Sequence, residues 1–591
     1  MSQARAELEA PFQQALDAQE DVRKLWPERD RREFLAQKIG LLPDAKGSDD
    51  LRWRLSERLH ILAIVVGLVL LVACANVATL LLARATARQR EIAARLALGA
   101  SRARLVRQLL TESLLLAGMG GVLGMLFAAW GHRILLLSFV ADTSNTAVPF
   151  QLDQRVLGFA LAVSLLTEVL FGTMPALRAT RVELSQVLKG GGRNTAGGLR
   201  LGLAKGLLVA QVAASLLLLI TTGLLVRTLR NLQSQDTGFN RENVLLMRID
   251  PGPKNYTDPR TIETYRQLLE RLNALPGVRS ASLAGNVAFG EGCWNKTIWV
   301  EGHQYSADED QTAEFNEVGP RFFDTVGVPL VLGREFGPQD HMGAPRVVLV
   351  NQAMARRYFP NENPIGKHFG DHGPASSGKY EIIGVVRDSK YGSLREQVGP
   401  TVYDPLFQVQ QAKPVVLHVR TPGNPASVVA RIRQEVQVID RDLPVFDVQT
   451  LAEQVQSSLH QERMFATLSG FFGLLALLLS CIGLYGVVAY SVARRTNEIG
   501  IRMALGAQGV QILWMVLREM LLLVTAGVVL GLPTALASTR IVANQLYGVK
   551  PTDALTLVAA TLVLAVVATL AGYLPARTAS GVDPMVTLRY E

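Results

Sequence analysis

Long apolar runs fill both ends of the 591-residue chain, and a polar, mixed stretch separates them. Seven runs approach or exceed the ~20 apolar residues that cross a hydrocarbon core. They are 61–83, 113–137, 156–177, 206–226, 465–490, 520–538 and 554–576. Any one of them could be a buried helix of a soluble domain, but seven together predict a polytopic membrane protein. Between the fourth and fifth runs, over about 229–462, the periodicity changes. TIETYRQLLERLNAL and ASVVARIRQEVQVI carry apolar residues at helical spacing, and VVLVNQAMARRYF reads as a strand running into a helix. Residues 278–283, YEIIGVV, TVYDPL and PVVLHVR read as strands. An α+β domain is expected there, built as two βαβ-type subdomains.

The apolar pattern repeats. Residues 91–124 align without gaps on 498–531 at a constant offset of 407, with nearly half of the positions identical. EIAARLALGA returns as EIGIRMALGA, Glu112 as Glu519, Gly120 and Gly124 as Gly527 and Gly531, and Cys74 as Cys481. At offset 400, Gly172, Pro175 and Ala176 return as Gly572, Pro575 and Ala576. The expected fold is therefore an α-helical membrane protein of about seven transmembrane helices in two repeated halves, plus one large α+β extracytoplasmic domain. The halves run in the same direction, as parallel repeats do.

The formal charge of +9 changes this picture only by orienting it. A basic balance can signal nucleic acid, but here the arginines flank the apolar runs, which argues against a nucleic-acid partner. Arg84, Arg88 and Arg95 follow the first run, Arg178, Arg181, Lys189 and Lys205 separate the third from the fourth, and Arg494, Arg495 and Arg502 follow the fifth. Arg577 and Arg589 follow the seventh. Basic connections stay in the cytoplasm, so the N-terminus is expected outside, the C-terminus inside, and the 229–462 domain outside. Cys74 and Cys481 lie in spans, and Cys293 stands alone in the large domain, which leaves that domain without an internal disulfide.

Candidate chemistry is sparse. Glu91 and Arg95, like Glu498 and Arg502, are spaced for an ion pair within one helix. Leu-Gly-Ala then lets the chain turn sharply or pack closely at Gly99–Ala100 and again at Gly506–Ala507. An ordinary basic loop does not require the same ten-residue pattern twice, and the recurrence points to docking. Gly120/Gly124 and Gly527/Gly531 have the spacing at which membrane helices approach closely. Glu112, Glu168 and Glu519 are carboxylates within spans, a functional signal. Glu112 and Glu519 could instead reach the interface or pair with Arg107 and Arg518, and Glu168, whose counterpart is Ala568, could instead be an isolated substitution. The sequence from Gly373 to Lys379 resembles a phosphate-binding loop. Tyr380 stands where Ser or Thr must hold magnesium, and the segment precedes a strand instead of following one, so it is set aside. His341, His368 and His372 read as surface residues of a polar turn, and no catalytic constellation, cofactor site or metal site is expected.

The repeated EIxxRxALGA after a span, the Glu of the next span and the closing P-A-x-x-A…V-D-P-M-V-x-L-R resemble FtsX-like/MacB-type ABC transporter permeases. GLVLLVACANVATLLLARA, GFNRENVLL, RFFDTVGVPLVLGREF and ARRYFPNENPIGKHF extend the resemblance to the duplicated orphan permeases of that family, the acidobacterial type. The resemblance implies a bacterial inner-membrane protein with no enzyme activity of its own. It implies that Glu91, Arg95, Gly99, Ala100, Glu498, Arg502, Gly506 and Ala507 couple to a separate cytoplasmic ABC ATPase dimer. ATP hydrolysis there would drive periplasmic motion, as export or as mechanotransmission. The alternative is a regulatory or structural module acting on a periplasmic partner such as a cell-wall hydrolase. Residues 1–60 look like the tail of a first periplasmic domain, so the first half is expected to be shortened at its N-terminus. That shortening leaves pairing with a second permease chain open. The expected organisation is 61–189 as the first membrane unit, 190–205 as a linker, 206–228 as the opening span of the second half, 229–462 as the periplasmic domain and 463–591 as the second membrane unit.

Overall fold

A computed structural model describes residues 8–14, 49–87, 101–139, 195–251, 258–290, 294–306, 309–408 and 414–580, with isolated positions 155, 158, 159 and 162. The chain divides into two units, one built around Leu232–His460 and the other around Trp53–Asn231 with Gln461–Glu591.

The second unit is helical. Its long helices are α1 (Asp49–Ala87), α2 (Arg102–Phe139), α3 (Thr195–Gln233), α9 (His460–Arg494), α11 (Gly509–Val542) and α12 (Ala554–Ser580), with the short α10 (Thr496–Ala504) between α9 and α11. Five of them contain apolar segments long enough to cross a membrane: His60–Thr79, Lys205–Gln233, His460–Ala493, Gly509–Thr539 and Ala554–Thr578. These overlap five of the seven expected runs. The run at 113–137 lies within α2, whose described apolar segment, Gly118–Gly131, is shorter. The run at 156–177 lies almost wholly outside the described residues.

The helices are packed with large side chains outward. On α9, Phe471, Leu474, Leu478, Ile482 and Tyr485 are exposed, whereas Ala476, Ser480 and Leu484 are fully or almost fully buried. Water would reverse that arrangement. Lipid permits it, because the acyl chains solvate the leucines while small and hydroxyl residues let backbones approach. Gly527 and Gly531 of α11 do this against α3. A methyl at Gly527 would meet Val212 at 2.5 Å, and one at Gly531 would lie 3.0 Å from the Ala213 Cα.

The first unit is one 12-stranded mixed sheet with helices. Its base is β1 (Val244–Ile249), α4 (Asp258–Ala274), β2 (Ser280–Ala284), β11 (Val415–Arg420), α7 (Val429–Ile439) and β12 (Val445–Thr450). The four strands lie in the order β12-β1-β11-β2 and are all antiparallel, the arrangement of two interlocked βαβ units. α4 and α7 cover one core through Tyr265, Leu268, Leu272, Ile432 and Val436. A second lobe is inserted between β2 and β11. It contains β3 (Trp294–Thr297), β4 (Trp299–Val300), β5 (Thr312–Val318), α5 (Phe322–Val326), β6 (Leu330–Gly333), β7 (Val347–Asn351), α6 (Gln352–Tyr358), β8 (His368–Gly370), β9 (Tyr380–Val386) and β10 (Thr401–Pro405). The two expected subdomains are thus lobes of one continuous sheet, joined where Ala284 of β2 pairs with Val318 of β5. Strands β7 and β9 are parallel, with α6 following β7, and Asn351 caps α6 by accepting from the Met354 N–H.

The inserted lobe buries a set of charges. Asp404 of β10 is the register neighbour of Glu317 on β5, and Lys296 Nζ lies 4.0 Å from its Oδ2. Asp371 receives Lys379 Nζ at 2.6 Å, Lys296 Nζ at 3.3 Å and the Tyr380 hydroxyl at 2.9 Å. Burial acts to raise Asp371, but hydrogen bonds from Lys379 and His372 hold it well below the usual carboxylate range. Burial pushes Asp404 up to about 6 against the pull of Lys296, with Glu317 and Asp371 adding to the rise.

Because the folded pKa of Asp404 exceeds its unfolded value of about 3.9, the folded chain binds the extra proton between roughly pH 4 and pH 6. This carboxyl therefore favours the fold as pH falls through that window and burdens it above pH 6. Asp404→Asn should raise the melting temperature at pH 7.5, and the gain should shrink at pH 5. Thermal unfolding at the two pH values checks this, and an equal change at both would contradict it.

Candidate coupling site

The repeated segment 498–507 lies between α9 and α11. Arg495 follows α9 and is the N-cap of α10, with its N–H donating to the Ser491 and Val492 carbonyls, and α10 begins at Thr496. Glu498 sits in the first turn of α10 and Arg502 in the last, the placement that complements the helix dipole. The pair closes at 2.6 Å, and Arg502 Nη1 also lies 2.7 Å from Met515 Sδ of α11.

Leu-Gly-Ala stops the helix. Leu505 is the C-cap, and Gly506 follows in the left-handed region at φ 95°. The Gly506 N–H donates to the Met503 carbonyl and the Ala507 N–H to the Arg502 carbonyl, each at 3.0 Å. This pair of bonds is a Schellman motif, and it favours glycine because a Cβ is strained at that φ. Ala507 joins Ile499, Met503 and Ile512 in a small apolar cluster that holds α10 down. The opposite side is open: Ile501 is 51% exposed and Leu505 82%, beside the exposed Glu498–Arg502 pair. Neither residue lies in an apolar span.

Glu519 fixes this connection to the helices. It accepts from Arg495 Nη1 at 2.8 Å and from Lys205 Nζ of α3 at 2.5 Å, so one carboxylate ties α3, the α9–α10 junction and α11. Of the readings open for Glu519, pairing with cations is the one formed, with Lys205 and Arg495 in the place of Arg518. Adjacent residues on a helix point about 100° apart, whereas Lys205 and Arg495 approach from neighbouring elements on the side that Glu519 faces. Sequence reading had placed both in the basic flanks, and nothing local marked them as partners of Glu519.

The other expected residues fall differently. Glu91, Arg95, Gly99, Ala100 and Glu168 lie outside the described residues, as does the Glu112 side chain. A methyl built on Gly120 or Gly124 meets nothing within 4 Å, so the described residues supply no close neighbour for this pair. In the sheet unit, Lys379 is held by Asp371 in a loop that leads into β9. His341, His368 and His372 do not converge: their ring nitrogens neighbour the Met342 carbonyl, Glu301 and Asp371 respectively. No group of three metal-binding side chains occurs among the described residues.

Comparison with known families places both units. The family described as FtsX-like permease C-terminal matches 63–184 and again 470–584, and the MacB-like periplasmic core domain matches 206–435. The chain belongs to the FtsX/MacB-type ABC transporter permeases. Among curated relatives, the macrolide export ATP-binding/permease protein MacB of Marinobacter nauticus is 26% identical over 292 residues, 48% of this chain and 44% of the relative. The uncharacterized ABC transporter permease YknZ of Bacillus subtilis is 25% identical over 290 residues, 48% of this chain and 72% of the relative. This permease thus spans less than half the length of the MacB relatives it matches. The solved periplasmic region of MacB from Actinobacillus actinomycetemcomitans is 16% identical, with a TM-score of 0.27, covering 38% of this chain and 97% of that one. Apolar helices and a MacB-like periplasmic core domain fit an inner-membrane permease.

Gly506→Ala should lower stability by about 1–2 kcal/mol, the cost of a left-handed residue bearing a Cβ. Gly470→Ala, inside α9 with open space around it, should be neutral or stabilising. Thermal unfolding of both variants in detergent separates them, and equal effects would mean that the turn at Gly506 is not under conformational constraint.

Proposed function

We propose that this permease couples ATP hydrolysis by a separate cytoplasmic ATPase dimer to motion of its periplasmic domain, as export or as mechanotransmission. The observation that carries the reading is α10 and its turn: a short helix anchored by Ile499 and stopped at Gly506, offering exposed Ile501 and Leu505 beside a Glu498–Arg502 pair. Exposed apolar side chains outside a span invite a protein partner, and charges at their rim give register. Segment 91–100 repeats the pattern and supplies the second contact, one for each subunit of the dimer. α10 then lies in the cytoplasm, the C-terminus lies on the same side, and 229–462 is periplasmic. Hydrolysis belongs to the partner, and this chain is not itself an enzyme. Lys205, Glu519 and Arg495 transmit displacement of α10 to α3.

The test is recovery of an ATPase subunit with the tagged full-length chain from its native membrane, beside the double variant Glu91→Lys with Glu498→Lys. The expected result is a bound ATPase in the wild type and a roughly tenfold or larger loss in the variant, the effect of about 1.4 kcal/mol of lost binding. Absence of any ATPase from the wild type overturns the coupling reading. Recovery of a cell-wall hydrolase in its place would make the chain a regulatory module acting on that partner.

A further inference from the structure

The seam between α1 and α9 joins equivalent positions of the repeat. Residues related by offset 407 share one apolar cluster: Val69 and Ala476, Val65 and Phe472, and Leu68 and Leu475, closed by Leu218 of α3. The same patch on both partners is the signature of a two-fold interface, here formed inside one chain.

The match breaks about two turns further on. Asn76 is 4% exposed, and its counterpart at offset 407 is Gly483. The Leu479 carbonyl lies one turn before Gly483 on α9, and the missing side chain leaves it open to side-chain donors. Asn76 Nδ2 donates to it at 2.7 Å, and Gln211 Nε2 of α3 donates at 3.0 Å. A methyl at Gly483 would collide with Asn76 Oδ1 and lie 2.8 Å from the Gln211 amide. The amide on one half thus occupies the space that the glycine leaves on the other. Ser215 extends the polar contact, with its hydroxyl 2.6 Å from that of Ser480.

We propose that Asn76 and Gly483 are a specificity pair that makes the two halves of this permease join each other in preference to a second copy. If α1 met another α1, two Asn76 side chains would compete for one place. If α9 met another α9, two glycines would leave an unfilled gap, and the Leu479 carbonyl would lack the Asn76 donor. A polar group buried in lipid is costly when its donors are unmatched. In the mixed pairing the Asn76 amide donates to the Leu479 carbonyl in space a glycine leaves free, whereas two Asn76 amides would have to bond each other within the space of one. Specificity then comes as much from what the like pairings forbid as from what the mixed pairing gains. A single chain forms a complete pseudo-dimer at this seam, with no second permease chain there. The inference is independent of the ATPase reading, because it concerns only how the halves pair.

The test uses the full chain in native membranes with Cys74→Ser, Cys293→Ser and Cys481→Ser, into which Val69→Cys and Ala476→Cys are introduced. Oxidation should give a cross-link within one chain, seen as a mobility shift at monomer mass. A product mainly at dimer mass overturns the proposal, whatever the other variants do. In the unmodified background, Asn76→Gly and Gly483→Asn should each lower the melting temperature in detergent. The exchange Asn76→Gly with Gly483→Asn should recover more than half of the summed loss, since the amide then reaches across from the other helix. Losses that simply add overturn the pairing role of the two residues and leave an ordinary buried contact.

Discussion

The carboxylate of Glu519 is the point at which the helical unit is tied to its own connection. It holds one cation from α3 and one from the start of α10, both partly shielded from water. A single carboxylate between two cations is a geometric constraint more than a source of stability. Removing it would leave Lys205 and Arg495 without their shared partner at this site, and with them the fixed direction in which α10 leaves α9. Everything the coupling reading needs follows from that direction: which face of α10 is buried by Ile499 and Ile512, and which face presents Ile501 and Leu505.

A second constraint comes from lipid. Without water to drive leucines inward, the helices meet through what is small or can hydrogen-bond. That explains the glycines of α11 against Val212 and Ala213, and the run of Gln211, Ser215 and Thr222 on α3 that meets backbone and hydroxyl oxygens of α9. At the far end of α3, Arg227 meets Asp553, which also caps α12 by accepting from the Thr556 N–H at 2.9 Å. The same helix is thus fastened to its neighbours near both ends of its apolar stretch.

Much of this was legible in the sequence, and for local reasons. Hydropathy placed five spans because an apolar stretch of that length has few other uses. Short strand-like runs, buried on both faces in the fold, placed β7, β9, β10 and β11, and the 3.6-residue period placed the amphipathic α4 and α7. Leu505-Gly506-Ala507 read as a turn because glycine is the residue that tolerates the φ it adopts. The misses are long-range. Val244 pairs with Arg420 and Ala284 with Val318, so two apparent subdomains became one sheet through contacts that no window of sequence contains. Arg518 looked like the partner of Glu519 because it is adjacent, whereas Lys205 lies 314 positions away. Asn76 looked unremarkable until its repeat counterpart proved to be the glycine it packs against.

The measurement that tests the central claim most directly is hydrogen exchange on the full chain in nanodiscs, with and without the nucleotide-binding subunit. The account predicts that amides of Thr496–Ala504 and of the turn at Gly506 slow on addition of that subunit, and that ATP then changes exchange along α3. Unchanged exchange at α10, with protection appearing elsewhere, would contradict it.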